Sequence, residues 1–243
     1  VYEGSSMFLV PADTPGLHIV RDVGIGGEEP GTGAHGYLRF EDARVPAENL
    51  LGTEGKGFQI AQTRLGGGRI HHAMRTVGMA QRAFDMMCER ALSRVTAGEV
   101  LAKKQMVQDV IAQSAIDIAQ FRLLVLHTAW LIDRSSTAEA RTAIAMVKVQ
   151  TPRVLTDVVE RAMHLHGAIG VSNEMPLIGM WQVGPILGVA DGPTEVHKVT
   201  IARQVLKGYK PHEGLWPSEF RPARLEAARA KYAEYLEHEV GNS

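Results

Sequence analysis

Between Gln105 and Ile132, apolar or small residues return in steps of four and three: Val107, Ile111, Ser114, Ile118, Phe121, Val125, Ala129 and Ile132. That spacing keeps one stripe on one face, which predicts a long helix buried along it. Helical patterning begins earlier. A short helix over 58–65 is expected to stop at Gly66-Gly67-Gly68, because successive glycines weaken a helix through backbone entropy. It resumes over 69–94. Ser136 with Glu139 three residues on has the form of a capping box and predicts a helix that runs to His166 and stops at Gly167. Pro152 lies inside it and is expected to kink or divide it. A further helix is expected from Thr194, acting as N-cap, to Lys207, just after the Asp191-Gly192-Pro193 turn.

Before Gly57 the pattern is different. Residues 7–10, 17–20 and 37–40 are short strand-like runs, separated by Pro11, the turn at 13–16 and a glycine-rich stretch over 24–36. That stretch lacks the preceding buried strand and following helix of a dinucleotide fingerprint, so it reads as a loop between strands. The class is α+β. Residues 1–57 form sheet, 58–207 an antiparallel bundle of about four helices, and 208–243 an extension with a charged helix near 218–238.

Composition removes several functions. Net charge is −1 and charged residues make up 22% of 243, which gives no sign of nucleic acid or a polyanionic partner. The single cysteine, Cys88, excludes an internal disulfide and suits a reducing compartment. A bacterial cytoplasm, or a mitochondrion or peroxisome, is therefore the expected location, and secretion is not. No apolar run reads as a membrane span, and no signal pattern opens the chain. It begins at Val1 on the approach to a strand and is expected to be part of a longer protein. His71 and His72 are adjacent and His164 and His166 two apart, so each pair diverges on its helix, and no metal site is expected. Asp191 stands on a stiff Gly-Pro turn before a helix. On the turn alone it reads as a capping residue.

The order of motifs changes that reading. Residues 8–16 (Phe-Leu-Val-Pro-Ala-Asp-Thr-Pro-Gly), 40–50 (Phe-Glu-Asp-Ala-Arg-Val-Pro-Ala-Glu-Asn-Leu) and 54–58 (Glu-Gly-Lys-Gly-Phe) precede Gly-Arg-Ile-His-His at 68–72 and Ala-Asp-Gly-Pro-Thr-Glu-Val-His at 190–197. In this order they resemble the C-terminal two-thirds of an acyl-CoA dehydrogenase, in particular the subgroup of family members ten and eleven. The resemblance implies that residues 1–57 belong to the middle β domain and that the bundle carries an FAD site. It implies α,β-dehydrogenation of an acyl-CoA thioester to a trans-2-enoyl-CoA, with electrons passed to an electron-transfer flavoprotein or similar acceptor.

Asp191 occupies the position of the family's α-proton base, usually a Glu, and the alternative base position holds Gly68. By the same resemblance Arg94 and Gln105 hold the diphosphate and adenosine of an FAD shared with a neighbouring subunit, which implies a homodimer or homotetramer. His164, Gly167 and Ala168 match the family's Gln-x-x-Gly-Gly cofactor segment, and Thr194 and Glu195 follow the catalytic turn toward the same FAD. Arg69 and Gly192 fall on the substrate side. Ala97 stands where the family usually has an aromatic. An alternative reading remains open, a non-catalytic chain that assembles with a complete dehydrogenase subunit.

Overall fold

The computed structural model describes residues 4–29 and 31–240. Val1–Glu3 of the first sheet region, Pro30 of the glycine-rich loop and Gly241–Ser243 of the extension lie outside the described residues. Two compact units are present, Val1–Ala202 and Arg203–Ser243.

In the first unit, β1 (Leu17–Val23) and β2 (His35–Phe40) pair antiparallel, with the glycine-rich segment as their loop. The register shifts between Ile19 and Arg21, a bulge that increases the local twist. The run at 7–10 forms no strand, only an isolated bridge from Phe8 to Leu50. Pro11 follows it and supplies no amide to extend the ladder. Ile19, Leu38 and Phe40 on this ribbon are exposed.

The bundle is formed by α1 (Gly57–Ser93), α2 (Gln105–Arg134), α3 (Arg141–His166) and α4 (Leu177–Val189), followed by α5 (Thr194–Leu206). A small hairpin, β3 (Val95–Thr96) with β4 (Glu99–Val100), joins α1 to α2. The predicted α2 stripe is the buried one. Ser114, Ile118, Phe121 and Val125 lie in the core, joined by Asp117 and Thr128. Asp117 is satisfied there by Arg161 of α3 at 2.9 Å and by Gln113 at 3.1 Å, as a buried carboxylate requires. Contrary to the sequence reading, α2 is long and apolar enough to cross a membrane by length and composition. One face of it packs against α1 and α3, while Ile116, Leu123, Leu126 and Trp130 on the rest of the helix are exposed.

Two expected breaks do not occur. The helix does not stop at Gly66–Gly68: α1 runs through all three as one element. Three glycines cost about 1 kcal/mol each in propensity. Packing of Ala73, Val77, Ala80, Ala83 and Met87 into the core outweighs that cost. Gly66 is also needed for close approach, since a Cβ there would meet the Thr137 side chain at 2.5 Å. Pro152 does not divide α3 either, which keeps a buried face on both sides of it, including Val147, Thr151, Leu155 and Val158. The stop at Gly167 occurs as expected, with φ 69°. At the other end Ser136 Oγ accepts the Glu139 amide at 3.2 Å, although α3 starts later, at Arg141.

The second unit carries α6 (Arg221–Lys231) and α7 (Ala233–Val240), two helices where one charged helix was expected. Within it Trp216 stacks on Phe220 with ring centroids 4.9 Å apart.

Candidate active site

The site is built on the turn between α4 and α5. Ala190 ends α4 in extended backbone, and Asp191 and Gly192 then both take positive φ, 57° and 105°. Left-handed backbone costs an L-residue about 1–2 kcal/mol, and Asp is among the few that visit it. At Gly192 a Cβ would stand 3.0 Å from Nε2 of His197. Pro193 O accepts the amides of Val196 and His197 and so starts α5. The Thr194 hydroxyl is not the N-cap that the sequence predicts. It donates to Gly188 O at 3.2 Å, because the last carbonyls of α4 have no helical partner and lie within its reach.

Four basic side chains converge on this turn. Arg69 of α1 donates Nε and Nη2 to the main-chain oxygen of Asp191, at 3.1 and 3.0 Å. The planar guanidinium fork makes that a two-point grip. Lys148 of α3, 3% exposed, donates to Leu187 O in the last turn of α4. His197 Nε2 lies 3.4 Å from the Asp191 main-chain oxygen. His72, one turn after Arg69 on the same face of α1, brings Nε2 to 3.6 Å from Asp191 Oδ2. Gly68 stands beside the carboxylate without crowding it: a Cβ there would make only an ordinary contact, 4.0 Å from Oδ2.

Burial lowers the pKa of all four. Neighbouring cations add to the lowering: Arg141 at Arg69, Arg75 at His72, Arg69 at Lys148 and Arg69 at His197. The Asp191 charge opposes it in every case. Asp191 is thus the common counter-charge of a basic cluster, with its main chain locked and its carboxylate beside Gly68. Such a group is suited to accept a proton from a molecule docked over Gly68.

The other predicted positions lie elsewhere. Arg94 caps the C-terminus of α1 and Gln105 opens α2, both exposed, with the β3–β4 hairpin between them. Leu101 donates its amide to Arg94 O at 2.9 Å, which fixes that tip. Arg94 is 25 residues beyond Arg69 on α1, roughly 37 Å at the helical rise. His164 is 81% exposed, 4.0 Å from Glu160, and Ala168 lies in the 3-10 turn Gly167–Val171. Nothing stands within 4 Å of a Cβ placed on Gly167. Glu195 is exposed in the first turn of α5. The structure therefore gathers Arg69, Asp191, Gly192 and Thr194, and separates them from Arg94 and Gln105.

His72, Lys148 and His197 are the site members that sequence reading did not select. Lys148 had a legible signal: it interrupts the core-facing series Ile144, Val147, Thr151, Leu155. His72 was legible only through its three-residue spacing from Arg69.

The pattern that defines the acyl-CoA dehydrogenase C-terminal domain matches residues 55–206. The probable acyl-CoA dehydrogenase FadE2 of Mycobacterium tuberculosis is 47% identical over 209 residues, covering 86% of this chain and 51% of that protein. Rat acyl-CoA dehydrogenase family member 11 (Rattus norvegicus) is 44% identical over 203 residues, 83% of this chain and 26% of its own. A solved Mycobacterium abscessus protein assigned as an acyl-CoA dehydrogenase superposes with a TM-score of 0.80 at 42% identity, covering 84% of this chain and 50% of that one. The chain spans about half the length of the first of these relatives and about a quarter of the second. Sequence, fold and the order of elements agree, and the chain belongs to the acyl-CoA dehydrogenase family.

Proposed function

We propose that this chain bears the catalytic base of an FAD-dependent dehydrogenase that converts an acyl-CoA thioester to a trans-2-enoyl-CoA. The observation that carries the reading is Asp191: a carboxylate on a left-handed turn, its main chain gripped by Arg69, with only a glycine, Gly68, standing beside it. Asp191 takes the α-proton of the bound thioester. Bound FAD supplies the acceptor for the hydride leaving the β-carbon. Arg69 and Lys148 hold the turn from the main-chain side, so the backbone that bears the carboxylate is fixed before substrate binds. Gly192 keeps backbone, not side chain, next to the acyl pocket.

The residues present fit FAD in a shared arrangement. Arg94 offers a fork suited to a diphosphate and Gln105 an amide for the adenosine, both at an exposed tip. Roughly 37 Å of helix separates that tip from the base, beyond the reach of one dinucleotide. In this reading Arg94 and Gln105 serve a neighbour's FAD, while Thr194 and Glu195 face the FAD beside Asp191. His164, Gly167 and Ala168 line the cofactor with backbone, and the left-handed Gly167 with its open surroundings allows close approach. Such sharing entails a homodimer, or a homotetramer as two dimers. An electron-transfer flavoprotein or similar acceptor is the proposed electron-accepting partner. A bacterial cytoplasm, mitochondrion or peroxisome is the proposed location, and residues 1–57, 58–207 and 208–243 the proposed parts.

The test is anaerobic mixing of these residues, carried in an FAD-loaded chain of the relatives' full length, with a panel of acyl-CoA thioesters. Bleaching of the flavin band together with a trans-2-enoyl-CoA product is the expected result. A flavin that stays oxidised with every thioester, with the fold intact, overturns the proposal in favour of a non-catalytic assembly chain.

A further inference from the structure

We propose that His72 is the positioning residue of Asp191, a neutral imidazole whose Nε2–H holds the carboxylate on the side of Gly68. The inference rests on the reading of Asp191 as the base and adds the group that aims it. Arg69 and His197 engage only the main-chain oxygen of Asp191 and leave its carboxylate free to rotate. The His72 side chain approaches that carboxylate, with Nε2 3.6 Å from Oδ2. Such contacts are long in unliganded sites and tighten around substrate. Arg69 and His72 are three apart on α1, so one helix face grips Asp191 at both its main chain and its carboxylate.

The tautomer follows from the partners. His72 Nδ1 is buried without a hydrogen-bond partner. A proton on Nδ1 would be an orphaned donor, whereas a proton on Nε2 meets a carboxylate acceptor. A charged ring would carry both protons and leave the Nδ1–H orphaned. Burial also disfavours the charged ring, as do the neighbouring charges of Arg75, His71 and Lys148, with Asp191 opposing.

One test needs no cofactor. The ring C2 proton of His72 is followed by NMR against pH in wild type and Asp191→Asn. If the two groups interact, the midpoint falls further below its wild-type value when the charge is removed. An unchanged midpoint overturns the pairing. In the FAD-loaded protein, His72→Leu should slow flavin bleaching by acyl-CoA about tenfold, the order of effect for a group that orients a reacting ligand, with thioester affinity within about twofold. His72→Gln keeps a donor and should restore the rate to within about threefold of wild type. Equal rates in His72→Leu and wild type, with Asp191→Asn inactive, would overturn this inference and leave the base in place. Undiminished bleaching in Asp191→Asn would overturn the base itself. Equal losses in His72→Leu and His72→Gln would show that a donor at this position is not what acts.

Discussion

Asp191 carries three separate demands at once: a left-handed main chain, a carbonyl offered to Arg69, and a carboxylate facing His72. Its basic neighbours make folding depend on pH. His197 is buried and has its pKa lowered from 6.5, by burial first and then by the charges of Arg69 and Lys148, against the hydrogen bond and charge of Asp191. His72 is lowered from the same value. The unfolded chain therefore binds more protons than the folded one just below pH 6.5. Stability is full above that value and falls as pH drops through it. Urea midpoints measured from pH 7.5 to 5.5 should decline, and His197→Gln should flatten the decline. A midpoint that rises on acidification would contradict the assignment of neutral rings in the folded protein.

At the scale of elements, what was legible depended on whether local pattern and packing agreed. The α2 stripe was legible because periodicity and burial coincide at Ser114, Ile118, Phe121 and Val125. The run through Gly66–Gly68 was not, because only the distant packing of α1 on α3 overrides three weak helix formers. The same conflict makes the glycines testable. Gly67 has helical backbone and nothing within 4 Å of a Cβ, so Gly67→Ala should stabilise by about 0.5–1 kcal/mol. Gly184 on α4 has Thr156 Oγ1 at 2.2 Å from a Cβ, so Gly184→Ala should destabilise, by about 1–3 kcal/mol for overpacking. Chemical denaturation of both variants checks the pair. The reverse order of stabilities would mean that α1 and α4 are packed differently.

At the scale of the whole molecule, the bundle sends its two sets of candidate residues to distant places, and sequence alone hid this. The motifs around Asp191 and Arg94 were legible as resemblances, but Arg69 and Asp191 are 122 positions apart and only the fold joins them. Arg94→Ala should weaken FAD retention by about 1.5–3 kcal/mol, the range for a hydrogen bond to a charged group. Titration of released FAD measures it, and equal affinity in both forms would make Arg94 a surface charge. The 243 residues span about half the length of FadE2, so turnover is expected to need the remainder of such a chain as well as this one. Normal acyl-CoA turnover by these residues alone would contradict that. The most direct measurement is anaerobic flavin bleaching in Asp191→Asn, a substitution that keeps the left-handed turn accessible while removing the basic oxygen. The expected result is a folded protein that retains FAD and binds acyl-CoA, yet whose flavin band does not bleach. Bleaching at the wild-type rate would show that Asp191 is not the base.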